Sequence, residues 1–203
     1  MKIKQYCVLF LIFITLCGRI SAQDLRSREF SIEGKISAFV PSSKISRQLF
    51  ASVMPYYELE VIKTLCNNWQ AWLEVGYLTD TGRAIGCDNK TTFHVVPVAL
   101  GLQYLYCIRD LWDFYAGAGM CVSFFKNKDY SDFVHQNISK QVVGGVFKIG
   151  FIYQSSSCVF IDLFAAYIHQ NFSFKRIYPD HYTLRNNFNM SGFKIGAGVG
   201  INF

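Results

Sequence analysis

The chain has 203 residues, of which 51% are apolar, 17% aromatic and 17% charged, and its formal charge is +6. That length holds one domain and excludes two globular units with separate cores. Beyond the first two dozen residues no apolar run nears the roughly twenty residues that a membrane helix needs, so the apolar content lies in short segments. At the N-terminus, Met1 to Lys4 carries two lysines, Tyr6 to Cys17 is apolar except for Thr15, and Gly18 to Ala22 holds small residues. A basic start, an apolar run of about a dozen residues and a small-residue cleavage site predict a secretory signal peptide over 1–22, leaving 23–203 as the mature chain. The competing reading is a retained anchor, but the run is too short to span a bilayer comfortably. Cys17 follows Leu16, where lipid attachment wants a small residue, so lipidation is not expected.

Period-two alternation then predicts strands, since successive side chains of a strand point to opposite faces. Strand one is Phe30 to Val40, with Phe30, Ile32, Gly34, Ile36, Ala38 and Val40 on one face and Ser31, Glu33, Lys35 and Ser37 on the other. Strand two, about Tyr56 to Thr64, sets Tyr57, Leu59 and Val61 against Glu58 and Glu60. Strand three, Trp69 to Leu78, sets Leu73, Val75 and Tyr77 against Trp72, Glu74 and Gly76. Strand four runs from about Phe93 to Tyr106, and Pro97 inside it removes a ladder donor, so a bulge there could switch the facing of Phe93 to Val96. Strand five is Phe114 to Phe124, strand six about Gln141 to Tyr153, and strand seven Val159 to His169. The connections alternate between short ones (Cys66–Asn68, Cys107–Asp113, Gln154–Cys158) and long ones (Pro41–Pro55, Thr79–Thr92, Lys126–Lys140, Gln170–Met190).

The last strand, Phe193 to Phe203, is the most informative. Phe193, Ile195, Ala197, Val199, Ile201 and Phe203 form one apolar face; Lys194, Gly196, Gly198, Gly200 and Asn202 form the other. A water-soluble sheet would carry larger solvated side chains on that second face, whereas a glycine-lined face fits inside a narrow barrel whose apolar side meets lipid. The stretch, ending on Phe203, resembles the C-terminal assembly signal of bacterial outer-membrane β-barrels. The mature chain resembles the small eight-stranded barrels of the OmpA, OmpX and OmpW type. That resemblance implies an all-β, eight-stranded antiparallel up-and-down transmembrane β-barrel in the bacterial outer membrane. Short turns and both termini would be periplasmic, and outer-membrane lipid, lipopolysaccharide and the barrel-assembly machinery would be partners. No peptidoglycan-binding domain is expected after the last strand, unlike the two-domain OmpA arrangement. Aromatics sort to the strand ends, with Phe30, Trp69, Tyr104, Phe114, Tyr153 and Phe203 at one rim and Tyr57, Tyr77, Phe124, Tyr167 and Phe193 at the other, as two membrane interfaces would require. A soluble lipocalin-like barrel, the competing fold, would place the apolar residues inside.

The inward positions collect Glu33, Lys35, Glu58, Glu60, Glu74, Lys148, Asp162 and Lys194. Five acids and three bases in one lumen must pair or share protons. They are read either as a pairing network that fixes register and fills the lumen, or as a proton- or cation-selective path lined by surplus carboxylate. An eight-stranded barrel is just wide enough to be filled by side chains, and Trp72, Phe160 and Phe164 also project inward, so a general-diffusion pore is not expected.

Without Lys2, Lys4 and Arg19 of the leader the charge is +3, and the excess lies in the long connections. Lys44, Arg47, Arg83, Lys90, Lys126, Lys128, Lys140, Lys175, Arg176 and Arg185 there outnumber Asp80, Asp88, Asp129, Asp132 and Asp180. Such a rim is either an ordinary solvated surface or an attractor of lipopolysaccharide phosphates or an anionic host surface. No nucleic-acid motif is present. Of the five mature cysteines, Cys66, Cys107 and Cys158 fall at the three short turns, Cys87 in a long connection, and Cys121 inside. Three thiols at one rim cannot all pair with one another, so the rim either keeps free thiols or is disulfide-linked to other envelope proteins. Their spacing does not support a metal site, and no cofactor is expected.

Some small barrels modify lipids, which requires a His activating a Ser near the outer rim. The His-x-Ser strand motif of those enzymes is absent at His135, His169 and His181, and His94 has no partner nameable from sequence. The first expectation is therefore a non-enzymatic envelope and surface protein. A narrow OmpW-like channel for small hydrophobic molecules or ions is the alternative, and a lipid-modifying enzyme the third.

Overall fold

The computed structural model describes residues 29–43, 47, 52–66, 68–83, 90–109, 111–129, 137–156, 158–177 and 183–203. The expected signal peptide, Lys44, Cys87, Asp88, Asp132, His135, Asp180 and His181 lie outside them. The side chains of Arg83, Lys90, Lys128, Asp129, Lys175, Arg176 and Arg185 also lie outside them.

Among the described residues nine strands form: β1 Phe30–Pro41, β2 Met54–Cys66, β3 Trp69–Arg83, β4 Lys90–Arg109, β5 Trp112–Asp129, β6 Asn137–Gln154, β7 Val159–Ile177, β8 Thr183–Asn189 and β9 Gly192–Asn202. Each of β1 to β7 pairs antiparallel with the next, and β9 pairs with both β7 and β1, which closes the sheet into a barrel. Among the described residues β8 pairs with β7 alone, in the same register that β9 continues: Asn171 lies opposite Asn189 and Ile168 opposite Gly192. β8 and β9 are thus one stave interrupted at Met190 and Ser191, and the barrel has eight staves.

Side-chain and backbone bonds hold that interruption. The Ser191 N–H donates to Asn189 Oδ1 (2.8 Å), the Gln170 N–H donates to Ser191 Oγ (3.0 Å), and the Ser42 N–H donates to the Ser191 carbonyl (2.8 Å). Backbone groups freed from the ladder are satisfied locally, as burial demands.

Burial alternates residue by residue along β1, β2 and β9. The apolar set faces out: Ile36, Leu100, Met120, Phe147 and Ile195 are each 61–67% exposed, far more apolar surface than a protein in water leaves uncovered. The exterior is a lipid-facing wall bounded by two aromatic belts. At the short-turn end Trp69 and Tyr104 sit opposite one another with ring centroids 5.3 Å apart, Trp112 and Tyr153 at 4.9 Å, Phe114 and Phe151 at 5.2 Å, and Phe30 and Phe203 at 6.3 Å. At the loop end Tyr167 and Phe193 lie 4.8 Å apart, and Tyr77 stacks on His94. From Phe114 to Phe124 a tilted strand climbs about 25 Å, the height of an outer-membrane apolar band.

Three expectations need correction. The long connections are shorter than their polarity suggests, because β3 to β7 run on past the loop-end belt: only 84–89, 130–136 and 178–182 separate the strands there. Ladder bonds extend the β3–β4 and β5–β6 hairpins into polar sequence such as Thr79 to Arg83 and Lys126 to Lys128, where no apolar alternation marks it. Pro97 causes no bulge; Val75 opposite Val98 and Leu78 opposite Val95 keep one register across it, so only the ladder bonds around it are lost. The Cys107–Asp113 turn is tighter than predicted: β4 runs to Arg109 and β5 begins at Trp112, with the register shift confined to Cys107–Arg109.

The lumen glycines have a specific cause. A Cβ on Gly150 would lie 2.6 Å from the Tyr115 ring, one on Gly101 2.6 Å from Trp72 Cζ2, and one on Gly119 2.8 Å from the same atom. Gly76 faces Tyr56 and Gly200 faces Phe160 in the same way. The rings of Tyr56, Trp72, Tyr115 and Phe160 each occupy the space that a Cβ on a neighbouring strand would need, and glycine leaves that room.

Candidate functional site: the charged lumen

Strand alternation turns the polar faces of all staves toward one narrow axis, so residues distant in sequence meet. Glu33, Lys35, Glu58, Glu60, Glu74, Lys148, Asp162 and Lys194 are all buried in the lumen, with Glu60, Asp162 and Lys194 at 0% exposure. They form two clusters. In the larger, Lys35 Nζ sits between three carboxylates: Glu60 Oε2 at 3.0 Å, Asp162 Oδ2 at 3.1 Å and Glu33 Oε2 at 3.2 Å. Lys148 Nζ binds the other oxygen of Glu60, and the Tyr115 hydroxyl donates to Asp162 Oδ2 at 2.8 Å. In the smaller, Lys194 Nζ bridges Glu74 Oε1 (2.8 Å) and Glu58 Oε2 (2.9 Å), and Ser37 Oγ donates to Glu58 Oε1 (2.8 Å).

Aromatic rings complete the packing around the cations. Lys148 Nζ lies 4.1 Å from the Trp72 ring centroid, Lys194 Nζ 4.6 Å from Tyr56 and Lys35 Nζ 4.8 Å from Phe164. A cation over a ring face is attracted by its quadrupole, more so when desolvated. Each buried lysine therefore has at least one carboxylate and a ring, which offsets the cost of removing it from water.

The plug has different caps at its two ends. Toward the short turns lies a polar chain: Ser31 Oγ donates to Asn202 Oδ1 (2.8 Å), and Gln154 Nε2 donates to Asp113 Oδ2 (3.3 Å). Toward the loops lies a packed apolar layer that includes Phe39, Met54, Leu78, Val95, Phe125 and Met190. Beside it a small polar group joins Cys121, Ser123 and Gln170: the Gln170 amide donates to Ser123 Oγ (2.7 Å) and to Cys121 Sγ (3.2 Å). Asp113, buried at the short-turn end, was placed in a turn by sequence reasoning; continuing the alternation back from Tyr115 would have put it inside.

Cys66 and Cys107 are exposed at the short-turn end, Cys158 is half-buried there, and no disulfide joins these three or Cys121. Phe203 ends the last stave, its N–H bonded to the Phe30 carbonyl (2.8 Å). Of the basic residues in the expected loops, Arg47 and Lys126 are exposed and Lys140 is half-buried on β6. His94 does have partners: its Nδ1 lies 3.0 Å from the Tyr77 hydroxyl and 3.2 Å from Thr79 Oγ1, on the outer wall. His169 Nδ1 lies 3.3 Å from Ser191 Oγ, but that oxygen is buried and accepts the Gln170 N–H, so it braces the stave break. Among the described residues no group of three or more His, Cys, Asp or Glu side chains is arranged to hold a metal ion.

Closed eight-stave topology, an apolar exterior between aromatic belts and a polar packed interior define a transmembrane β-barrel of the outer-membrane kind. Solved structures with this fold include OprG of Pseudomonas aeruginosa (15% identity over 86% of this chain and 95% of that one, TM-score 0.66). The E. coli outer membrane protein W (14%, 86% and 97%, TM-score 0.59) and Neisserial surface protein A (14%, 86% and 97%, TM-score 0.58) share it as well. No family model matches the sequence, and no curated protein matches it. At such identity the likeness is one of fold.

Proposed function

We propose that this protein is a non-enzymatic anchor of the bacterial outer membrane that presents its loop end to the outside and conducts nothing through its lumen. The observation that carries this reading is the plug: eight buried charges, braced by Trp72, Tyr115, Phe160 and Phe164, cross the lumen where a pore would run. In this reading residues 1–22 are a cleaved leader, the short turns face the periplasm, and Phe203 marks the chain for the barrel-assembly machinery. The plug pins strand register, since a one-residue slip would turn every charge toward lipid. The basic loop end, with Arg47 and Lys126 exposed, draws the phosphates of lipopolysaccharide or another anionic surface. At the other rim, exposed Cys66 and Cys107 suit disulfide exchange with periplasmic envelope proteins.

The chain refolded into a planar bilayer tests this. An anchor stays electrically silent; steady single-channel steps that vanish in Glu58→Gln or Glu60→Gln make the lumen a path for ions instead. The apolar layer above the plug favours a second reading, a narrow conduit that takes small hydrophobic molecules from the loop end. Saturable quenching of Trp72 by an apolar probe such as a brominated alkane would support the conduit; no saturable quenching would exclude it.

A further inference from the structure

The charges of the larger lumen cluster do not balance. Lys35 and Lys148 face Glu33, Glu60 and Asp162, two bases against three acids, all of them nearly without solvent contact. The acids are not equivalent. Glu60 engages a lysine with each of its oxygens. Glu33 and Asp162 share a single lysine, Lys35, and each keeps one buried oxygen, Glu33 Oε1 and Asp162 Oδ1, with no hydrogen-bond partner. The two carboxyl groups meet at the same ammonium, Lys35 Nζ, which lies 3.2 Å from Glu33 Oε2 and 3.1 Å from Asp162 Oδ2. Two ionised carboxylates there would repel in a medium of low dielectric, and each would keep one buried oxygen without a donor. One proton removes both faults: it makes one group a donor and leaves two negative charges against two lysines.

We infer that Glu33 and Asp162 form a proton-binding site, holding one proton between their carboxyl groups inside the folded barrel. The proton comes from water as the lumen closes; an O–H bond forms on one carboxyl and its hydrogen is accepted by the other. The charged and titratable groups around the pair are Lys35 on β1, Glu60 on β2, Tyr115 on β5 and Lys148 on β6, while β9 contributes Gly198, whose missing side chain leaves room for the Glu33 carboxyl. The smaller cluster differs. Its surplus carboxylate has a hydroxyl donor in Ser37, and neither Glu58 nor Glu74 has a buried oxygen without a partner. The inference stands whether or not the lumen conducts.

Infrared spectroscopy of the refolded full-length barrel in deuterated buffer reads the site directly. Wild-type protein at neutral pH is expected to show the carbonyl stretch of a protonated carboxylic acid, slow to exchange. That band should disappear in both Glu33→Gln and Asp162→Asn, because an amide supplies the missing donor without a proton. Both variants are nearly isosteric, and the wild-type band can be read without either. Absence of the band from wild-type protein would overturn the inference. So would its persistence in either variant, or a barrel without the band whose unfolding midpoint rises with sodium, which would put a metal cation between the carboxylates.

Discussion

The two faces of the same strands solve different problems. On the outside of β1, Ile32, Ile36 and Val40 meet a fluid solvent with no fixed shape, so any apolar residue of similar size serves. On the inside, Lys35 meets Glu60 and Asp162 on other staves and Glu33 on its own, Ser37 meets Glu58, and glycines stand against the rings of Tyr56, Trp72, Tyr115 and Phe160. One residue along the chain separates a tolerant position from an exacting one. The outer face places the molecule in lipid, while the inner face specifies which barrel it is and whether anything passes through it.

That contrast can be broken most severely at Lys35. Lys35→Met strips three carboxylates of their shared cation and is expected to cost about 3–5 kcal/mol, or to prevent refolding, as uncompensated buried charge does. The neighbouring lipid-facing Ile36→Leu should stay within about 0.5 kcal/mol of wild type. Urea unfolding in detergent, followed by tryptophan fluorescence, measures both; equal costs would abolish the distinction. A second comparison uses glycines. Gly150→Val pushes against the Tyr115 ring and should cost about 1–3 kcal/mol. Gly34→Val, where an added Cβ meets nothing within 4 Å, should change stability by no more than about 0.5 kcal/mol. The smallest effect belongs to the belts. Trp69→Ala loses its edge-on contact with Tyr104, worth about 0.5–1.5 kcal/mol beyond area burial, and its anchoring at the interface. Unfolding from vesicles should reveal more of that loss than unfolding from micelles, where the interface is softer.

The eight staves were legible in the sequence because lipid and lumen impose opposite chemistry on alternate residues, and Phe193 to Phe203 shows that alternation without interruption. The upper reaches of β3 to β7 were not legible. Stretches such as Lys126 to Asp129 are paired in the ladder although neither face there is apolar. The stave break at Met190 and Ser191 was hidden for the same reason, since it rests on Asn189, Ser191 and Gln170 hydrogen bonds rather than on a pattern. Alternation also sorted the eight lumen charges onto one face of their strands. It could not say which lysine serves which acid, because closure brings together Lys194 and Glu58, 136 positions apart, and Lys148 and Glu60, 88 apart. The lumen glycines were legible as small residues, but their partners, the rings of Tyr56, Trp72, Tyr115 and Phe160, emerge only from the register.

The most direct test of a lipid-bathed wall around a packed lumen is depth-resolved quenching of one reporter. Leu100→Trp, with Trp69 and Trp112 changed to phenylalanine, puts an indole on the outer wall at mid-height while Trp72 stays inside as an internal reference. In vesicles with bromines midway along the acyl chains, the position-100 emission should be strongly quenched and the Trp72 emission little changed, with aqueous iodide reaching neither. Iodide quenching at position 100, with no effect of brominated lipid, would contradict the account.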